Sequence, residues 1–268
     1  MSVNIGIIGY GEVGQIFAEA LLANGATSVS VWDKLFGSQA AEARIARASQ
    51  QGVRVATSAA DAASGADVLI SAVTADQARN VAAEAAAYLK PGQIFFDINS
   101  ASPDTKVESA SRIDAAGAHF VEGAVMSTVP GPGLQVPILG GGAKAVDVAN
   151  LLNHLGMNIT PVSDKPGRAS ATKLCRSIII KGLEALLIQC KQASIHWGVE
   201  DDVFASLTAS YPGMDWKKLA VQMRGRVKQH GVRRSAEMRE AAQMVKALGL
   251  DDTLCSGIAD VQASFAGK

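Results

Sequence analysis

The chain has 268 residues, 48% of them hydrophobic, enough for one large core or two ordinary ones. Lysine plus arginine equals aspartate plus glutamate at 25 each, so no net charge steers the chain to nucleic acid or an anionic membrane. Cys175, Cys190 and Cys255 are odd in number and without metal-site pairing, no signal-like N-terminus is readable, and no stretch of about 20 apolar residues could span a bilayer. A soluble cytoplasmic protein in a reducing compartment, with no metal, is expected.

The apolar run Val3 to Ile8 enters Gly9-Tyr10-Gly11-Glu12-Val13-Gly14, and a weakly amphipathic stretch, Gln15 to Asn24, leaves it. Strand, tight turn and helix in that order are the context a G-x-G-x-x-G dinucleotide fingerprint needs. Gly9 allows the turn, Gly11 lets the backbone approach a pyrophosphate, and Gly14 lets the helix pack on the sheet. A second strand, Ser28 to Trp32, ends in Asp33, nineteen residues beyond Gly14. A carboxylate there accepts from adenosine ribose hydroxyls and repels a 2′-phosphate, which favours NAD. Lys34 offsets part of that repulsion, so NADP stays open beside it.

The chain then alternates. A helix is expected over Ala40–Gln51, a short strand at 53–55, and a buried parallel strand from Val68 to Val73, whose exit at Thr74 is where ligands of open α/β sheets bind. A helix to Tyr88 stops at Lys90-Pro91-Gly92. The strand Gln93–Ile98 gives way to the small polar loop Asn99-Ser100-Ala101-Ser102-Pro103, near the nicotinamide end of a dinucleotide. After a helix over Asp104–Ala116 comes a strand through His119 and Glu122, with His119 a core-edge or surface histidine and not a catalytic one. A final helix and strand close a doubly wound α/β domain of Rossmann type at residues 1–163.

Residues 164–268 read as an all-α domain for substrate binding and dimerisation. No breaker but Gly182 interrupts 167–197, and Leu174, Ile178, Leu183, Leu186, Leu187 and Cys190 give that long helix an apolar surface suited to an intersubunit spine. Shorter helices are expected between breaks at Tyr211-Pro212-Gly213, His230-Gly231 and Gly249, with Asp251 capping the last. Small substrates of such proteins bind where a second domain meets the mouth of the first.

Lys173, near the start of the long helix, is the first candidate for chemistry: an ammonium in a cleft can donate to a substrate oxygen, and partial desolvation suits it to acid–base work. A solvated helix lysine is the competing reading from spacing alone. Cys175 reads as a packing residue.

The chain resembles the β-hydroxyacid dehydrogenase superfamily, which includes 3-hydroxyisobutyrate, tartronate-semialdehyde and 6-phosphogluconate dehydrogenases. The fingerprint carries the resemblance together with the loop after the Val68–Val73 strand. Asp97-Ile98-Asn99-Ser100-Ala101-Ser102-Pro103 is similar to the family's D-x-S-T-x-x-P, and Gly167 to Ser177, with Lys173, to its G-x-G-x-x-x-K-x-x-x-N. The resemblance implies that Lys173 is the catalytic acid or base. It also marks two departures. Met126, Ser127 and Thr128 stand where the family holds the substrate carboxylate with Ser-Gly-Gly, and Ser177 replaces a substrate-binding asparagine, losing the paired donor and acceptor of an amide.

The C-terminal half is similar to an uncharacterised branch of this superfamily, through Tyr211-Pro212-Gly213-Met214-Asp215-Trp216 and His230 to Met238. His230, Arg233 and Arg234 are candidates for an anion clamp, since the arginine fork fits a carboxylate. The alternative is a helix start in which Glu237 pairs with Arg233 or Arg234. Tyr211 and Trp216 read equally as a substrate wall or as core. Together these features point to hydride transfer between NAD and a hydroxyl-bearing small molecule, chiefly a hydroxy acid. An imine reductase and a dinucleotide-binding sensor or scaffold are the alternatives.

Overall fold

The computed structural model of the protein describes residues 2–268. It divides into two compact units, one ending at Lys173 and the other starting at Leu174.

The first unit is a single eight-stranded sheet with helices on both faces. In chain order its elements are β1 (Asn4–Ile8), α1 (Glu12–Ala23), β2 (Ser28–Trp32), α2 (Glu42–Gln50, entered through a 3₁₀ turn at Gln39–Ala41), β3 (Arg54–Val55), α3 (Ala59–Ala63) and β4 (Val68–Ser71). They continue with α4 (Ala75–Ala85), β5 (Ile94–Asp97), α5 (Pro103–Ala115), β6 (His119–Val125), β7 (Pro137–Gly141), α6 (Ala145–His154) and β8 (Asn158–Ser163). The strand order is β3-β2-β1-β4-β5-β6-β7-β8, with β1 pairing in parallel with both β2 and β4, the reversal point that defines a doubly wound sheet.

Alternation along each strand feeds two cores. Ile5 and Ile7 face one side with Phe17 and Leu21 of α1 and Leu152 of α6, while Ile8 faces the other with Ala85 of α4 and Ile113 of α5. Among the described residues the one antiparallel pair is β6 with β7. Only a loop containing Gly131-Pro132-Gly133 and a 3₁₀ turn joins them, with no helix to carry a crossover.

The helical unit holds most of α7 (Arg168–Trp197), which begins in the first unit, then α8 (Glu200–Ser210), α9 (Trp216–Ala247) and α10 (Thr253–Phe265). Trp216 packs with Leu187, Phe204 and Met223, so it is core, whereas Tyr211 is 60% exposed, its ring set edge-on with that of Trp216 at 6.0 Å. The break at Tyr211-Pro212-Gly213 falls between α8 and α9, and Gly249 follows the end of α9. Asp251 accepts from Thr253 N (2.8 Å) at the start of α10.

The expected break at His230-Gly231 is absent: α9 runs through it for 32 residues. A side chain at Gly231 would collide with Gln262 O and Ala266, so this glycine serves the close approach of α10 to α9 instead of ending a helix. Tertiary packing overrides the propensity cost of about 1 kcal/mol for a mid-helix glycine. Cys175 also differs from the sequence reading of a packing residue, since it is exposed. Among the described residues no helix is long and apolar enough to cross a membrane, and no three His, Cys, Asp or Glu side chains gather as a metal site.

Candidate active site

The fingerprint loop joins β1 to α1 at the C-terminal edge of the sheet. Gly9 has a φ of +93°, and a Cβ there would strike Ala72 O; one at Gly14 would strike Gly9 O. These two glycines are therefore required by the protein's own packing. Gly11 differs, because a Cβ there would meet nothing within 4 Å. It is the N-cap of α1, and no side chain caps that helix. Open space in front of an uncapped helix N-terminus, where N–H groups point outward, fits a phosphate. Glu12 is exposed, Val13 half-buried, and Tyr10 fully buried with its ring against Phe36 at 5.9 Å. Tyr10 thus meets the loop through its backbone.

Asp33 lies beside this loop. Its Oδ2 accepts from Tyr10 N (2.7 Å) and its Oδ1 from Leu35 N (2.9 Å), which fixes the carboxylate while leaving lone pairs on both oxygens. Thr74 is exposed at the N-cap of α4.

The loop after β5 is held by buried charge. Lys106 and Asp97 are both fully buried; Lys106 Nζ lies 3.0 Å from Asp97 Oδ2 and donates to Asp97 O at 2.9 Å. Asp97 Oδ1 in turn accepts from Asn99 N (3.0 Å) and Asn99 Nδ2 (2.6 Å), and Asn99 Nδ2 also donates to Ser71 Oγ (2.9 Å). This leaves Asn99 Oδ1 buried without a partner. An acceptor so placed beside the fingerprint edge fits a ligand donor better than an empty interior, since buried polar atoms are rarely left unpaired.

Ser100, next in the loop, accepts from Lys173 Nζ at 2.5 Å. Lys173 is 8% exposed, and the first turn of α7 that carries it is also bonded to the sheet. Glu122, fully buried on β6, accepts from Ala169 N (2.9 Å), Ser170 N (3.2 Å) and Ser170 Oγ (2.5 Å). The loop after β6 carries Met126, Ser127 and Thr128; Met126 N already donates to Pro137 O (2.9 Å), and Ser127 Oγ donates to Thr128 O (3.3 Å).

In the helical unit Ser177, one turn beyond Lys173 on α7, is 4% exposed. Ser177 Oγ donates to Glu237 Oε1 (2.5 Å), and Lys181 Nζ donates to both Ser177 Oγ (3.1 Å) and Glu237 Oε1 (2.8 Å). Burial pushes the Lys181 ammonium below the usual lysine range, with Glu237 pulling the other way. Arg234 makes a two-pronged pair with the fully buried Glu184. Glu237 and Arg234, which the sequence sets near each other on one helix, both reach α7, Glu237 to Lys181 and Ser177 and Arg234 to Glu184. Arg233 is exposed and His230 half-buried.

Sequence reasoning passed over Lys106, Glu122, Lys181 and Glu184. For Glu122 a signal existed, a lone carboxylate inside the apolar strand His119-Phe120-Val121-Glu122-Gly123-Ala124-Val125. For Lys181 and Glu184 the signal was their spacing from Lys173 and Ser177 on one helix face. Lys106, on an otherwise ordinary amphipathic helix, gave none.

The doubly wound sheet and the family it belongs to support an NAD(P)-dependent, dehydrogenase-like protein at the level of the superfamily. The model for the NAD binding domain of 6-phosphogluconate dehydrogenase matches residues 4–163, and one for a domain of unknown function, DUF1932, matches residues 196–265. The chain belongs to the β-hydroxyacid dehydrogenase/6-phosphogluconate dehydrogenase-like superfamily. Membership carries a general oxidoreductase role and dinucleotide use.

A conserved hypothetical protein from Sinorhizobium meliloti is 39% identical, with a TM-score of 0.85 over 98% of this chain and 88% of that one. A conserved protein of unknown function, described as structurally similar to 3-hydroxyacid dehydrogenases, is 32% identical with a TM-score of 0.79 over 98% and 96%. Mycobacterium tuberculosis 3-hydroxyisobutyrate dehydrogenase, 21% identical with a TM-score of 0.81 over 99% and 94%, shares the fold.

Proposed function

We propose that the chain is a dehydrogenase that prefers NAD and acts on the CH–OH group of a small hydroxy acid, with Lys173 as its acid–base group. The observation that carries this reading is the 2.5 Å bond from Lys173 Nζ to Ser100 Oγ, which sets an ammonium at the loop that leaves β5. Gly11 and the N-terminus of α1 would hold the pyrophosphate, Asp33 the adenosine ribose, and Asn99 and Ser100 the nicotinamide end. When bound, the dinucleotide supplies the two-electron redox chemistry.

Lys173 handles the proton at the substrate oxygen. In oxidation its amine takes the hydroxyl proton; in reduction its ammonium polarises the carbonyl and returns one. Ser100 orients Nζ for both. Met126, Ser127 and Thr128 are the proposed substrate loop, and the departure of that loop and of Ser177 from the family pattern supports a substrate other than a standard short 3-hydroxy acid. His230, Arg233 and Arg234 are the reserve for a carboxylate; Arg234 would have to share its guanidinium with Glu184. Ile179 and Leu186, 70% and 64% exposed two turns apart on α7, support a homodimer through the helical unit. Sedimentation equilibrium is expected to give twice the chain mass, and a monomer at micromolar concentration would remove that assignment.

The test of function is NAD reduction across a panel of hydroxy acids and hydroxylated aromatics, with reduction of keto acids and cyclic imines in parallel and binding of NAD and NADP measured alongside. Replacing Lys173 by Met is expected to lower turnover by about 10²–10⁴-fold with NAD binding kept. Wild-type hydride transfer in K173M would overturn the role of Lys173. Turnover on imines alone would replace the hydroxy-acid reading with imine reduction.

A further inference from the structure

The first turn of α7 lacks a local cap. The residue before it is Gly167, which has no side chain to offer, so the N–H groups of Ala169 and Ser170 need an acceptor from elsewhere. That acceptor comes from the neighbouring strand. Glu122 reaches out of β6 and takes both N–H groups and the Ser170 hydroxyl, one carboxylate for three donors. Ordinary caps are short side chains at the helix's own N-terminus; here the cap lies 47 residues upstream of Ala169.

The site is built for this carboxylate. Glu122 pairs in register with Gly141 of β7, and a Cβ at Gly141 would sit 2.5 Å from Glu122 Oε1 and 3.0 Å from its Cγ. The glycine clears the lane along which the side chain lies. A fully buried carboxylate is costly unless its charge is met by donors. Two N–H groups, a hydroxyl and the positive end of a long helix meet it here.

The position of this clamp ties it to the chemistry. Ser170 and Lys173 are three residues apart and so share one face of α7. The carboxylate fixes one end of that turn, and Lys173 Nζ bonds to Ser100 from the other. We propose that Glu122 is a positioning residue that holds the first turn of α7 on the sheet and thereby sets Lys173 against Ser100; this rests on the acid–base reading of Lys173.

The experiment compares wild type, Glu122→Gln and Ser170→Ala. The amide keeps the shape of Glu122 but puts an NH₂ group where an acceptor stood, and S170A removes only the hydroxyl from the clamp. Turnover and KM are measured on the substrate found above, NAD binding by calorimetry, and the reactivity of Lys173 by competitive acetylation against pH with mass spectrometry. A misplacement of about 1 Å can cost about 100-fold in rate, so kcat of E122Q is expected to fall by that order and kcat of S170A by several-fold. KM and NAD affinity stay near wild type. Lys173 acetylates faster in both variants, more so in E122Q, because its amine is no longer held at Ser100.

The labelling needs no substrate, so it separates the two readings. A wild type that turns over nothing, with the same rise in Lys173 reactivity, keeps the clamp and fails the hydroxy-acid assignment. Lys173 reactivity unchanged in a folded E122Q or in S170A, or a loss confined to KM, overturns the proposal.

Discussion

In the sheet unit the buried charges are anchored to backbone as well as to one another: Lys106, paired with the Asp97 carboxylate, also donates to Asp97 O, Asp97 accepts from Asn99 N, and Glu122 accepts from Ala169 N and Ser170 N. In the helical unit they end on one another, Lys181 with Glu237 and Arg234 with Glu184. Backbone anchors fix where a loop or a helix end sits, and the loop and helix end fixed here carry Ser100 and Lys173. Side-chain pairs between helices fix which faces meet. The first arrangement sets the geometry of the chemistry, and the second sets the register of α7 and α9. Damage to each should therefore read out differently.

Lys106→Met is the strongest test of that contrast. It leaves the Asp97 carboxylate fully buried without its cation, and breaking such a pair costs about 3–5 kcal/mol. Urea unfolding is expected to show that loss. Turnover should fall with it under conditions where K106M is still folded, because Asp97 holds Asn99 and Asn99 adjoins Ser100. A K106M protein that loses the stability yet keeps full kcat would erase the distinction between the units.

Much of this site could be read from the chain alone. Glycine spacing, Asp33 and the run before Lys173 are local patterns, each set by what one turn or one helix end needs. The sheet followed from the alternation of apolar runs and breakers, but the antiparallel direction of β7 was not read from the sequence. The clamp was not legible, since Glu122 and Ser170 are 48 residues apart and only the folded sheet brings them together. The error at Gly231 has the same origin. A glycine that admits a neighbouring helix and one that ends its own helix look alike in sequence, and only α10 tells them apart.

Lys181→Met probes the other side of the contrast and should have the smaller effect. Glu237 is 16% exposed at its side chain and keeps the Ser177 hydroxyl, so it regains some solvation when its lysine is lost. A loss of about 1–3 kcal/mol at neutral pH is expected. Its pH dependence is more telling. Burial lowers the folded pKa of Lys181, whereas the unfolded chain titrates at the ordinary 10.5. Between those values the unfolded state binds more protons, so the unfolding free energy should rise with pH there; below that window the cost of the buried ammonium is carried in full. Tyr10 and Tyr88, both raised from 10.0 mainly by burial, act in the opposite sense at higher pH. Urea melts of wild type and K181M across the alkaline range cancel the tyrosines in the difference. The rising component should vanish in K181M. If it survives, the charge that the helical unit carries at a cost lies elsewhere, and Lys181 with Glu237 is a partly hydrated pair contributing little to the register of α7 and α9.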